Sequence, residues 1–143
     1  MNTTQYRHAI IGTGRPRGSE GATGFGMAHS HYKSFQNSKR VSLCAIADIE
    51  ESHAKAFLAD YNESATIYHD YRDLIREEKP DILSITVWPH LHADMTVAAC
   101  EAGIRAIHCE KPMALTWADA KRMKAAADAN GTILTFNHQR RFL

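Results

Sequence analysis

Six short apolar runs, separated by segments of helical periodicity, constrain the fold of this chain more than any other feature. The runs are mostly continuous rather than alternating in polarity, which is typical of strands covered on both faces. Alternating strands and helices predict an α/β fold with a doubly wound parallel sheet in three layers, α/β/α. We predict strands at Tyr6–Ile11, Val41–Ala47, Thr66–Tyr68, Ile82–Val87, Ile104–Cys109 and Thr132–Asn137.

Local signals at the helix ends support this order. Thr116 and Asp119 have the spacing of a helix cap and its third residue, and Gly131 predicts the end of that helix. Right-handed crossovers between parallel strands place the carboxyl ends of all the strands on one edge of the sheet. Ligands of such sheets bind along that edge, so residues that follow the strands are the candidates for function.

Size and charge indicate one globular domain without a strongly charged partner. The chain has 143 residues and a formal net charge of +1, which does not favour binding to nucleic acid or to an anionic membrane. No apolar run approaches the ~20 residues that cross a bilayer, and residues 1–8 lack the apolar core of a signal peptide. Three cysteines without close pairing are typical of a reducing compartment, so we expect a cytoplasmic protein.

The first predicted strand ends in a glycine turn, Gly12-Thr13-Gly14, and Gly26 precedes a helical segment. In a dinucleotide-binding turn, the first glycine permits a tight turn, the second lets the pyrophosphate approach, and the third lets helix and strand pack closely. Eleven residues separate Gly14 from Gly26 instead of the usual two, so this interpretation requires an inserted loop at Arg15–Gly24. The alternative is a glycine-rich surface loop, whose arginines are solvated rather than bound to phosphate.

Asp48 ends the second predicted strand, where a carboxylate accepts hydrogen bonds from the adenosine ribose of a dinucleotide. A carboxylate at this position repels a 2′-phosphate, and the next residue, Ile49, supplies no cation to bind one. The sequence therefore favours NAD over NADP. The alternative is an aspartate that caps the following helix, and the two roles are compatible.

The tripeptide Glu110-Lys111-Pro112 follows the fifth predicted strand. A lysine ammonium at the ligand edge can polarise a substrate hydroxyl and lower its pKa, which favours the alkoxide from which hydride is lost. Glu110 is expected to hold the lysine in place. The alternative is a surface turn with a local ion pair.

Histidines occur twice in the pattern His-x-His, at His29-Ser-His31 and at His90-Leu-His92. Residues two apart do not share a helix face, and no other zinc-binding pattern accompanies them, so we expect no metal site. His92 follows the fourth strand and is interpreted as a cofactor-pocket residue or as the start of a helix. His29 is expected to be a surface or packing residue.

Together these segments resemble the N-terminal domain of the glucose–fructose oxidoreductase / inositol dehydrogenase (Gfo/Idh/MocA) family over essentially the whole chain. The resemblance rests on six segments: Ile-Ile-Gly12-Thr-Gly14, Phe-Gly26-Met-Ala-His29, Ala-Ile-Ala-Asp48, His90-Leu-His92-Ala, Cys-Glu110-Lys111-Pro112-Met-Ala and Gln139-Arg-Arg-Phe142. It implies a Rossmann fold and NAD(P)-dependent oxidation or reduction of sugars, cyclitols and related compounds. By position, the resemblance implies that Lys111 assists catalysis and that Asp48 binds the adenosine ribose. It also implies that the three glycines form the phosphate-binding turn.

The chain departs from this family before the second His-x-His pattern. Where the family usually has Thr-Pro-Asn, this chain has Val87-Trp88-Pro89. Trp88 is therefore a candidate to stack on the cofactor in place of the polar contacts, and Thr13 and Glu110 complete the set of candidate cofactor-binding residues.

The resemblance also implies parts that these 143 residues do not contain. We expect a C-terminal α/β domain with an open antiparallel sheet, which supplies most substrate contacts and a histidine acid/base. We also expect a homo-oligomer that forms through that domain, and no turnover by residues 1–143 alone. The alternative function is a non-catalytic NAD-binding sensor or regulatory module.

Overall fold

A computed structural model describes residues 5–16, 18–20 and 26–138. Six parallel strands form one sheet in the order β3-β2-β1-β4-β5-β6. The strands are β1 Tyr6–Ile11, β2 Val41–Ala47, β3 Thr66–Tyr68, β4 Ile82–Ile85, β5 Ala106–Cys109 and β6 Ile133–Phe136. The helices are α1 Met27–Phe35, α2 Glu51–Tyr61, α3 Tyr71–Glu78, α4 His92–Glu101 and α5 Trp117–Asn130, and a 3₁₀ turn at Pro89–Leu91 precedes α4.

The two faces of the sheet carry separate apolar cores. Successive residues of a strand point to opposite faces, and β1 shows this directly: Ala9 and Ile11 belong to one core, and Ile10 belongs to the other. The first core is packed under α3, α4 and α5, and the second under α1 and α2. The predicted doubly wound α/β sheet is therefore confirmed, as is the alternation of strand and helix.

The structure also confirms the predicted start and end of α5. Thr116 Oγ1 accepts a hydrogen bond from Asp119 N at 3.1 Å and begins α5, and Gly131 ends the same helix with φ 65°. None of the helices in the described part of the chain is long and apolar enough to cross a membrane.

Two predicted strands begin later than the sequence indicates, because the preceding residue closes a helix. Ile104 N donates to Ala99 O at 3.1 Å, so β5 begins at Ala106. Thr132 N donates to Ala127 O at 3.0 Å, so β6 spans Ile133–Phe136 rather than Thr132–Asn137.

The fourth predicted strand ends at Ile85 rather than at Val87. Thr86 N makes a last bond to β1, to Ile11 O at 2.9 Å. The Val87 carbonyl instead faces the His92 side chain, with Nε2 at 3.2 Å. The chain thus leaves the sheet two residues early, and this shift places Val87 and Trp88 beside the glycine turn.

His8 on β1 is a buried histidine that the fold must keep neutral. Its side chain is 1% exposed, packs on Phe35 and lies 3.0 Å from the Ser84 hydroxyl through Nε2. Burial, reinforced by the nearby His31 and His108, lowers the pKa of His8 to about 3. Between pH 6.5 and about 3 the unfolded chain therefore binds a proton that the folded chain does not.

We expect this difference to make the fold acid-sensitive. The stabilisation is complete above pH 6.5 and is lost as the pH falls toward about 3, with a slope of up to about 1.4 kcal/mol per pH unit. Urea titrations of the free energy of unfolding against pH measure that slope. The double variant His8→Leu/Ser84→Ala should have a clearly shallower slope, whereas His90→Gln, at an exposed histidine, should not. An unchanged slope in the double variant would show that other groups dominate.

Candidate active site

A cleft of about 630 Å³ lies at the carboxyl edge of the sheet. It is lined by the segments that follow β1, β2, β4 and β5, and by the start of α1. Eight of the nine predicted site residues line it: Gly12, Thr13, Gly14, Gly26, Asp48, Trp88, Glu110 and Lys111. The ninth, His92, does not.

Gly12 and Gly14 both have left-handed backbones, with φ 84° and 71°, but their surroundings differ. A Cβ atom on Gly12 would lie 2.6 Å from Val87 Cγ1 and 3.2 Å from Thr86 O. Gly12 therefore lets the end of β1 pass directly against the segment that follows β4. A Cβ atom on Gly14 would meet nothing within 4 Å, so this glycine leaves open space at the cleft.

Gly26 immediately precedes α1 and has φ 56° and ψ 53°. No side chain of the described residues caps this helix, so the N–H groups before His29 are candidates to bind an anion. The predicted insertion, Arg15–Gly24, lies partly outside the described residues. Arg17 is one of the residues outside them. Arg15 lines the cleft, and its guanidinium donates to Glu20 O at 3.0 Å.

The Asp48 carboxylate holds the glycine turn in place. Its Oδ2 accepts hydrogen bonds from Thr13 N at 2.8 Å, Thr13 Oγ1 at 2.7 Å and Gly14 N at 3.3 Å. Its Oδ1 accepts from Glu50 N at 3.0 Å, just before α2, and lies 3.7 Å from His53 Nδ1. The predicted capping role is wrong, because the N-cap residue of α2 is Glu50 and no side chain of the described residues caps this helix. The bonds to Thr13 and Gly14 are a role that the sequence analysis missed.

Glu110 is oriented into the protein rather than toward the neighbouring ammonium. It is 5% exposed, and its Oε1 accepts from Asn137 Nδ2 at 2.6 Å and lies 2.9 Å from His31 Nε2. Its Oε2 accepts from the backbone N–H of Lys111 at 3.2 Å. Burial opposes ionisation of Glu110, but the bonds from His31 and Asn137 outweigh it and keep the pKa of this carboxyl below its ordinary value.

Lys111 is exposed at the cleft, and the peptide bond to Pro112 is cis. Within the described residues its ammonium has no hydrogen bond or ion pair, so the local ion pair considered above is not formed. Glu110 contributes to holding the lysine only through the backbone N–H.

His92 joins two segments beneath the cleft. It is fully buried, with Nδ1 2.8 Å from Pro112 O and Nε2 3.2 Å from Val87 O. The helix-start interpretation is confirmed, since α4 begins at His92. Its contacts link the turn after Lys111 to the wall that carries Trp88, and a direct contact with a cofactor stays a prediction.

The other histidines of the two His-x-His patterns are used differently. His29 packs on Phe57 and lies 2.8 Å from the Tyr61 hydroxyl through Nδ1, as expected of a packing residue. His31 is buried against Glu110, which the sequence analysis did not foresee. Among the described residues, no group of three or more His, Cys, Asp or Glu is placed to hold a metal ion.

Trp88 lies at the mouth of the cleft and is 62% exposed. Its position fits the predicted stacking on a cofactor, which stays a prediction.

The family model that matches this chain is described as "Oxidoreductase family, NAD-binding Rossmann fold" and covers residues 6–138. The chain belongs to the Gfo/Idh/MocA oxidoreductase family. It therefore has an NAD-binding Rossmann fold, and the observed sheet order and glycine turn are those of that fold.

Two curated relatives illustrate this membership. The inositol 2-dehydrogenase of Salmonella typhimurium is 38% identical over 113 residues, which are 78% of this chain and 33% of that protein. The D-glucoside 3-dehydrogenase of Escherichia coli is 30% identical over 142 residues, which are 99% of this chain and 37% of that protein. The chain thus spans about a third of the length of these relatives.

A solved structure shows the same fold. The WlbA dehydrogenase of Chromobacterium violaceum, in complex with NADH and UDP-GlcNAcA, superposes with a TM-score of 0.81 at 26% identity. The superposition covers 99% of this chain and 37% of that protein.

The different surroundings of Gly12 and Gly14 predict two different defects. Gly12→Ala should lower the free energy of unfolding by roughly 2–4 kcal/mol, because it adds a strained left-handed backbone to an overlap with Val87. Gly14→Ala should cost only about 1–2 kcal/mol but weaken NADH binding at least tenfold, since its methyl group enters the open part of the cleft. Urea denaturation and NADH fluorescence titration measure the two effects. Equal losses of stability in both variants would contradict this assignment.

Proposed function

We propose that this chain is the cofactor-binding domain of an NAD-dependent dehydrogenase. The enzyme would transfer hydride between the CH–OH carbon of a sugar- or cyclitol-like substrate and nicotinamide. The observation that carries the proposal is the exposed Lys111, whose ammonium pairs with no described residue and shares one cleft with the glycine turn and Asp48. The names of the relatives, an inositol dehydrogenase and a glucoside dehydrogenase, support the substrate class.

The described residues fit an extended dinucleotide along the cleft. The ribose of adenosine belongs beside Asp48, and the pyrophosphate beside Gly14 and the uncapped start of α1. In this arrangement the nicotinamide would lie toward Trp88 and Lys111, which also line the cleft. When bound, NAD supplies the acceptor for the hydride.

Lys111 acts on the substrate oxygen. Its ammonium donates a hydrogen bond to the hydroxyl and stabilises the negative charge that develops on this oxygen as the hydroxyl proton is removed. Because no carboxylate of the described residues pairs with it, this charge is available to the substrate. The group that removes the hydroxyl proton is assigned to a domain C-terminal to this chain.

The remaining parts of the proposal follow the family resemblance. A C-terminal α/β domain would provide the substrate contacts, the acid/base histidine and the surface through which the protein forms a homo-oligomer. The protein would act in the cytoplasm. No specific observation favours the alternative of a non-catalytic NAD sensor, and the second experiment below separates the two.

Asp48 predicts that this domain prefers NAD. In fluorescence titrations NADH should bind at least about tenfold more tightly than NADPH, because a 2′-phosphate would face a buried carboxylate. Asp48→Asn removes the charge and keeps one oxygen acceptor, for Thr13 and Gly14, but loses the bond from Glu50 N. It should narrow the difference mainly by improving NADPH binding. Equal affinities in the wild-type protein would mean that the carboxylate does not face the 2′ position.

The variant Lys111→Ala distinguishes a catalytic role of this protein from a sensor role. In the full-length protein, with NAD⁺ and a panel of cyclitols and glucosides that includes myo-inositol, kcat should fall by roughly 10²–10⁴-fold. NADH affinity should change by no more than about threefold, since the cofactor's phosphates and adenosine lie elsewhere in the cleft. Lys121→Ala, at an exposed lysine of α5, is the matched control. Unaltered turnover in the Lys111 variant would remove this lysine from the mechanism.

A further inference from the structure

Glu110 and Lys111 are adjacent and oppositely charged, yet their side chains do not pair. The carboxylate is 5% exposed and bonded to His31 and Asn137, whereas the lysine side chain is exposed at the cleft. His31 comes from α1 and Asn137 from the residue after β6, so three separate parts of the fold meet at one carboxylate.

The relative strengths of the possible contacts explain this orientation. An exposed ion pair is typically worth about 0–1 kcal/mol. A hydrogen bond to an ionised group contributes about 1.5–3 kcal/mol. Two such bonds inside the protein therefore outweigh one ion pair at the surface. Without them, the ammonium of Lys111, the next residue in the sequence, would be available to the carboxylate as a partner of opposite charge.

The surroundings of His31 indicate that its role is the contact with Glu110. Its ring is buried against His108, with 4.5 Å between the ring centroids. Its Nδ1 has no hydrogen-bond partner among the residues that the structure describes. Burying an unsatisfied polar atom costs free energy, and an apolar side chain would fill this space without that cost. The bond from Nε2 to Glu110 is the feature that an apolar residue would not provide.

We propose that His31 and Asn137 are positioning residues that withhold the Glu110 carboxylate from Lys111. By keeping the carboxylate inside, they leave the ammonium unpaired and available to the substrate oxygen. The effect on catalysis rests on the proposed role of Lys111. The orientation of Glu110 does not depend on that role.

This arrangement matters for the chemistry in two ways. An ammonium that is paired with Glu110 would have to exchange that partner for the substrate. A carboxylate beside the substrate would also repel the alkoxide that forms as the hydroxyl proton is removed. Both effects would raise the barrier at the step that Lys111 assists, without changing how the adenosine half of NAD binds.

Competitive acylation of Lys111 tests the orientation without any substrate. The full-length protein is treated with trace acetic anhydride, and labelling of Lys111 relative to Lys121 is measured by peptide mass spectrometry across a pH series. Only the free amine reacts, and an ion pair favours the ammonium form. In His31→Leu and in Asn137→Ala, Lys111 should therefore label roughly two- to fivefold more slowly than in the wild type at the same pH.

Two further variants separate this effect from a loss of structure. His108→Leu removes the ring that contacts His31, but His108 bonds to Thr135 and not to Glu110, so labelling of Lys111 should stay at the wild-type rate. The double variant His31→Leu/Glu110→Gln should return to the wild-type rate, because a neutral amide cannot form the ion pair. Circular dichroism checks the folding of each variant, and Asn137→Ala, at a less buried position, carries the test if His31→Leu does not fold.

Wild-type labelling rates in folded His31→Leu and Asn137→Ala would overturn the proposal. So would slow labelling that persists in the double variant. If the rates change as expected but the full-length protein oxidises none of the tested substrates, the proposed function fails and the orientation of Glu110 stands.

Discussion

The carboxylate of Asp48 is the interaction on which the cleft depends. Its Oδ2 accepts three hydrogen bonds from Thr13 and Gly14, so the end of β2 fixes the turn that follows β1. A buried charge is tolerated only when it is well hydrogen-bonded, and here those bonds determine the path of the backbone. Because Gly12 in that turn contacts Val87, the position of the wall that carries Trp88 follows from the same carboxylate.

The fold could be read from the sequence because its signals are local. Continuous apolar runs, separated by helical segments, predicted every strand and the doubly wound sheet, and Thr116 and Gly131 marked both ends of α5. Parallel strands then place their carboxyl ends on one edge by topology alone. That rule is sufficient to bring Gly12, Asp48 and Lys111 to one cleft, although they are far apart in the chain.

The contacts within the site could not be read in this way, since they join residues with no local relation. His31 and Glu110 are separated by 79 positions, and periodicity assigns His31 only to a helix. The sequence suggested that Glu110 would pair with its neighbour Lys111, because adjacent opposite charges are the visible feature. The structure differs because Asn137 and His31 offer the carboxylate stronger partners inside the protein.

Asp48 and Glu110 show the same physical arrangement at two strand ends. Each carboxylate accepts several donors of its own chain, so its charge stabilises a backbone turn and is partly neutralised at the cleft. Helix α1 connects the two halves of the site, because it begins after Gly26 at the phosphate end and carries His31 to Glu110. A displacement of α1 would therefore change both the backbone at Gly26 and the partner of Glu110.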